Sequence, residues 1–166
     1  LGCVEVTTDP SHANEQAASG SDVALGTSSE SSFTVSVGTG RNTHVPLADG
    51  DTLYLELGFQ GLQHVLVSII GHELLQDRYR VTFMLTGLDG VAVAEPTTVN
   101  VPFAALRDGN GAELLGYPLV VLEPSLGVGH EAILRVEVEG SDGSIAWDER
   151  TVQIEWAPEE WDPDTE

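Results

Sequence analysis

From Ser32 onward the chain alternates apolar and polar residues in short runs, broken about every ten residues by Gly, Asp or Pro, which is the signature of half-buried β-strands. Phe33, Val35 and Val37 alternate with Thr34 and Ser36, and Leu53, Leu55 and Leu57 with Tyr54 and Glu56. Tyr79, Val81, Phe83 and Leu85 form a third such face, and Asp89-Gly90 then supplies turn chemistry before Val91 and Val93, predicting a hairpin. The last hairpin is the clearest. Leu134, Val136 and Val138 face one way with Arg135, Glu137 and Glu139 opposite, Ser141-Asp142-Gly143 turns the chain, and Thr151 to Trp156 returns with Val152, Ile154 and Trp156 inward.

Two stretches break the alternation. Residues 62–70 are apolar on both faces, which predicts a central strand covered on both sides or lying beside another apolar strand, and residues 114–122 read in the same way. Phe103 to Arg107 is the one place where a single helical turn is expected. The pattern predicts an all-β domain of about seven to nine strands, an immunoglobulin-like Greek-key β-sandwich lacking the paired cysteines of antibody domains.

The domain so defined covers residues 32–157. Residues 1–31 are polar, acidic and without apolar period, so they cannot bury enough surface to offset their chain entropy and are expected to form a flexible tether. Residues 158–166 read as an acidic tail carrying Trp161, frayed or loosely docked. Across all 166 residues, 27 acidic side chains face six basic ones, all arginine, for a net charge of -21. That balance repels polyanions, and nucleic-acid binding is excluded as a function class. A cationic partner, a divalent ion, or charge serving solubility alone remain.

No apolar run is long enough for a transmembrane helix. The opening Leu1-Gly2-Cys3-Val4, a cysteine after a small residue and before a polar stretch, resembles the processed end of bacterial lipoproteins, in which the cysteine carries the lipid. The resemblance implies lipid attachment at Cys3 and display outside the cytoplasm, at the outer membrane or cell surface. Read without it, Cys3 is a free thiol on a tether.

Motifs for chemistry are sparse. His72-Glu73-Leu74-Leu75-Gln76 falls one residue short of the zinc-protease motif H-E-x-x-H, because Gln76 stands where the second histidine is needed, and it reads as a connection between strands. There is no G-x-S-x-G elbow and no lysine, and Gly38-Thr39-Gly40-Arg41 is too short to cradle a phosphate. Asp-Gly pairs at 49–51, 89–90, 108–111 and 142–143 suit tight turns, with calcium ligation as the alternative. His64 shares a strand face with Leu62, Leu66, Ser68 and Ile70, so its imidazole needs a partner. It is read either as a hydrogen-bonded structural histidine or, with His44 and His72, as a copper or zinc ligand.

The stretch from Gly58 to Ser68, with Pro46 to Asp51 before it, is similar to segments of myxobacterial-type lipoproteins with an immunoglobulin-like domain and no assigned activity. That resemblance transfers no functional residue. The expected function is a non-enzymatic, membrane-tethered interaction or structural module without cofactor, whose partners are the membrane, through the lipid, and another envelope or extracellular protein. The alternative is a metal-binding extracytoplasmic protein.

Overall fold

The computed structural model describes residues 33–58, 61–74, 76 and 78–165; Cys3 and the expected tether lie outside them. Ten strands are present among the described residues: β1 (Thr34–Thr39), β2 (Val45–Pro46), β3 (Thr52–Leu57), β4 (Gln63–His72), β5 (Arg78–Gly87), β6 (Ala92–Pro102), β7 (Ala104–Ala105), β8 (Gly111–Val120), β9 (Glu131–Glu139) and β10 (Ile145–Trp156). The only helical element among them is a 3-10 turn, Pro124–Leu126. The described residues are all-β, as their periodicity predicts. Phe103 to Arg107 does not coil into the expected helical turn: Phe103 is buried in the core and Ala104–Ala105 pair with β8.

The strands form one curled mixed sheet, a half-barrel, in the order β2-β1-β4-β3-β10-β9-β5-β6, with β8 on the far edge of β4. One curled sheet replaces two separate ones because β3 ladders to both neighbours, antiparallel to β4 and parallel to β10. Across the opening, a bridge between Ala94 and Val121 ties β6 to the end of β8. Beside β3 the seam is held by side chains. Asp148 on β10 accepts the Val37 N–H at 2.9 Å, and Arg150 donates to Leu47 O at 2.8 Å while pairing with Asp148.

The concave side holds the core. Leu53, Leu55, Val65, Val67, Ile69, Val81, Phe83, Leu85, Leu134, Val136, Val138, Val152 and Ile154 are fully buried, so each predicted alternating face points inward. Phe83 stacks on Tyr117 with centroids 4.2 Å apart, and Tyr79 makes edge contacts to Phe33 and Phe103. The stretch 62–70 is central, with β8 on one edge and β1 and β3 end to end on the other. Its two faces are buried differently: Val65, Val67 and Ile69 in the core, Leu66 and Ser68 on the convex face under the residue 40–47 segment.

Two residues expected to face inward do not. Leu57 is 69% exposed and Trp156 49%, because both stand at strand ends, beyond the side chains that cover Leu55 and Ile154. The acidic tail is docked. Trp161 packs on Tyr54 of β3 at 5.1 Å, and Asp164 caps the β1–β2 loop.

Candidate functional site

His64 finds its partner in the strand beside it. The β3–β4 register sets Glu56 directly opposite His64, and His64 Nε2 donates to Glu56 Oε1 at 2.9 Å. Arg41 reaches over from the β1–β2 loop and donates to both oxygens of the same carboxylate at 2.9 Å. Gly58 lets the ring lie this close, since a Cβ there would sit 2.8 Å from His64 Cε1. The imidazole and carboxylate are mostly shielded, at 15% and 16% exposure, so this hydrogen-bonded chain locks the β3–β4 turn to the β1–β2 loop.

His44 serves a second, separate lock. Ser68, the buried polar residue of β4, donates its hydroxyl proton to Thr39 O, so its oxygen must accept from His44 Nδ1, 2.9 Å away. This fixes the Nδ1–H tautomer of His44, and burial pushes its pKa below the ordinary histidine value. His72 is exposed at the far end of β4, where Nδ1 donates to Asn110 O at 3.3 Å.

The three candidate ligands are therefore dispersed along the length of β4, His64 and His72 on the strand and His44 packed over its middle. His64 and the Ser68 that holds His44 are four residues apart, about 13 Å at the strand rise, and His64 and His72 are eight apart, about 26 Å. Copper or zinc needs nitrogens near 2 Å from one point, which this spacing does not provide. No group of three His, Cys, Asp or Glu side chains among the described residues could hold a metal ion.

The Asp-Gly segments are turns, as their chemistry predicts. Gly50, Gly90, Gly109 and Gly143 all have positive φ. The aspartates are spent locally: Asp51 accepts the Ala48 N–H, Asp89 that of Val91, Asp108 that of Asn110, and Asp142 that of Ser144. Asp49 accepts the Thr151 N–H of β10. The hairpins carrying Asp89 and Asp142 lie at opposite ends of the β5–β9 ladder, so the acidic turns do not assemble into one calcium site. His72 to Gln76 is a connection, with Glu73 at φ 61, Leu74 buried against Gly71, and Gln76 accepting the Ser141 N–H.

A carboxylate that the sequence reading missed gathers four hydrogen bonds from the β1–β2 loop. Asp164 Oδ1 accepts the N–H groups of Arg41, Asn42 and Thr43 at 2.7, 2.6 and 3.1 Å, and Oδ2 accepts from Asn42 Nδ2 at 2.8 Å. Successive backbone N–H groups turned to one point form an anion nest, and these bonds hold Asp164 below its usual pKa. On the other side of the tail, Trp161, Pro163 and Thr165 line a cavity of about 380 Å3 together with Val45, Leu47 and Tyr54.

A different kind of surface lies at the end of the half-barrel where β3, β5, β8 and β10 finish. Leu57 and Leu62 flank the β3–β4 turn, Leu88 and Val91 the β5–β6 turn, Leu122 and Leu126 the crossing from β8 to β9, and Trp156 ends β10; each is 48–69% exposed. Ile145 at the opposite end, at 40%, is the one other exposed large hydrophobic among the described residues. Backbone bonds stitch three of these segments together, Val121 N to Gln63 O, Gly129 N to Ile154 O and Ala157 N to Leu55 O, and the Ala94–Val121 bridge joins the strand after the β5–β6 turn to them. The chain enters at the other end, since Thr34 pairs with His72 while Gln63 opposite Leu57 marks the apolar end. The ten residues of β4, nine rises or about 30 Å from Gln63 to His72, separate the two.

Comparison with protein-family models, curated proteins and solved structures returns no match.

Proposed function

We propose that this chain is a non-enzymatic interaction module: an immunoglobulin-like β-domain, its two sheet halves joined through β3, displayed outside the cytoplasm on the 1–31 tether and anchored to a membrane by a lipid on Cys3. Supporting the immunoglobulin-like reading is the strand order, in which β4 pairs with β8, β5 with β9, β9 with β10, and an early strand runs parallel to the last. The observation that carries the function is the gathering of exposed apolar side chains on the loops opposite the point where residue 33 joins the domain. Exposed apolar groups collected on loops mark interaction sites, and a tether at the far end presents them outward. The histidines and the buried serine are occupied in structural hydrogen bonds, which favours this reading over metal binding.

Site-specific photo-crosslinking in the producing cells tests it. A photoreactive residue in place of Leu57 or Leu122 should give a discrete higher-mass adduct, and one in place of Ile145 should not. No adduct from the apolar end, or equal adducts from both ends, would refute the proposal.

A further inference from the structure

The segments that build the apolar end contain no lysine or arginine. They carry Asp89, Glu95, Glu123, Glu131 and Glu155, all exposed. Arg41 is the arginine that reaches toward this end over the convex face, and both oxygens of Glu56 already hold it. The surface is thus an apolar centre with an uncompensated anionic rim.

Its charge decides among occupants. A second copy would bring the same rim against itself, and at a net charge of -21 the two chains repel before their leucines touch. An anionic membrane surface is repelled in the same way. We infer that the apolar end binds a protein surface that is apolar at its centre and ringed by lysine or arginine. This rests on the interaction-module reading and adds the chemistry of the partner. In such a pairing the leucines and Trp156 supply the buried area, while the rim steers the encounter and rejects acidic partners.

The test uses the full chain and three synthetic amphipathic helical peptides, one with a leucine and a lysine face, one with a leucine and a glutamate face, and one with a serine and a lysine face. The leucine–lysine peptide should bind at least about tenfold tighter than either other peptide, and its binding should weaken as salt rises. Leu57→Asp with Leu122→Asp should weaken it by about tenfold or more. Neutralising the rim with Asp89→Asn, Glu123→Gln, Glu131→Gln and Glu155→Gln should weaken it comparably and flatten the salt dependence. The same charge removed at the opposite end, with Asp108→Asn, Glu113→Gln, Glu139→Gln and Asp142→Asn, should leave it unchanged and so separates the rim from overall charge.

If the leucine–glutamate peptide binds as well and the rim variant matches wild type while the leucine variant loses binding, the charge inference is overturned and the interaction site stands. If the leucine variant binds every peptide like wild type, the site itself fails and the inference with it. If both four-residue neutralisations weaken binding equally, the attraction belongs to the whole chain and the rim has no special role.

Discussion

His64 and His44 illustrate how a strand face that reads as apolar accommodates imidazoles. Each ring is held by a neighbour brought in by topology: Glu56 across the β3–β4 turn, and Ser68, which the β1–β2 loop covers. His64→Ala should cost about 1–3 kcal/mol, read as a drop in the denaturation midpoint, because it leaves the shielded Glu56 with one partner fewer and opens a cavity beside Gly58. Copper or zinc should leave the wild-type midpoint where it is, and a metal-dependent rise that disappears in His64→Ala would contradict the structural role. His44 carries a pH signature. Its folded pKa lies below its ordinary value, so the unfolded chain takes up a proton near pH 6.5 that the folded chain resists. The stability that neutral His44 contributes is complete above that pH and is lost as pH falls toward the folded pKa. The difference in denaturation midpoint between wild type and His44→Asn should therefore shrink between about pH 7.5 and pH 5.5, the comparison cancelling the general charge effects of so acidic a chain. A difference that grows on acidification would contradict the assignment.

At the scale of elements, period-two alternation was enough to place β1, β3, β5, β9 and the second half of β10, because one buried face stamps itself on every second residue. Of the doubly apolar stretches, β4 is central as expected, whereas β8 meets the other half of the expectation: it lies beside an apolar strand, β4, with only the two-residue β7 on its other edge. Strand ends were harder: Leu57 and Trp156 continue the inward pattern past the point where anything covers them, and alternation carries no information about where cover stops. The Glu56–His64 pair was within reach, since a turn at 58–62 sets residues eight apart opposite each other. The contacts of Asp148 with Val37 and of Asp164 with the 41–43 amides were not, because they span more than 100 residues and leave no periodic trace. The 158–165 segment accordingly behaves as part of the fold. Asp164→Ala should speed hydrogen exchange at the amides of Arg41, Asn42 and Thr43 and leave the β4–β8 ladder unchanged. Trp161→Ala should cost about 1–2 kcal/mol by removing the aromatic pair with Tyr54. Unchanged exchange at all three amides would show that the nest is closed without its carboxylate.

Over the whole molecule, one end receives the chain at Phe33 and Thr34 and the other presents leucines, a valine and a tryptophan on four linked segments. The sequence did carry a trace of that surface, a Leu or Val beside the turn glycines Gly58, Gly61 and Gly90, but alternation assigns such residues to no face and only the topology gathers them. Deleting residues 4–31 should leave the melting temperature within about 4 °C of the full chain, and Cys3→Ser should move the protein from the membrane fraction to the soluble one. The most direct test of the central claim compares hydrogen exchange in the protein within the native cell fraction that holds it with exchange in the purified protein. An interaction module that docks through its apolar end should show slowed exchange at residues 88–91 and 121–128 in the native fraction and unchanged exchange at the 141–144 turn at the other end. Equal exchange in the two samples at 88–91 and 121–128, or protection confined to the 141–144 turn, would contradict it.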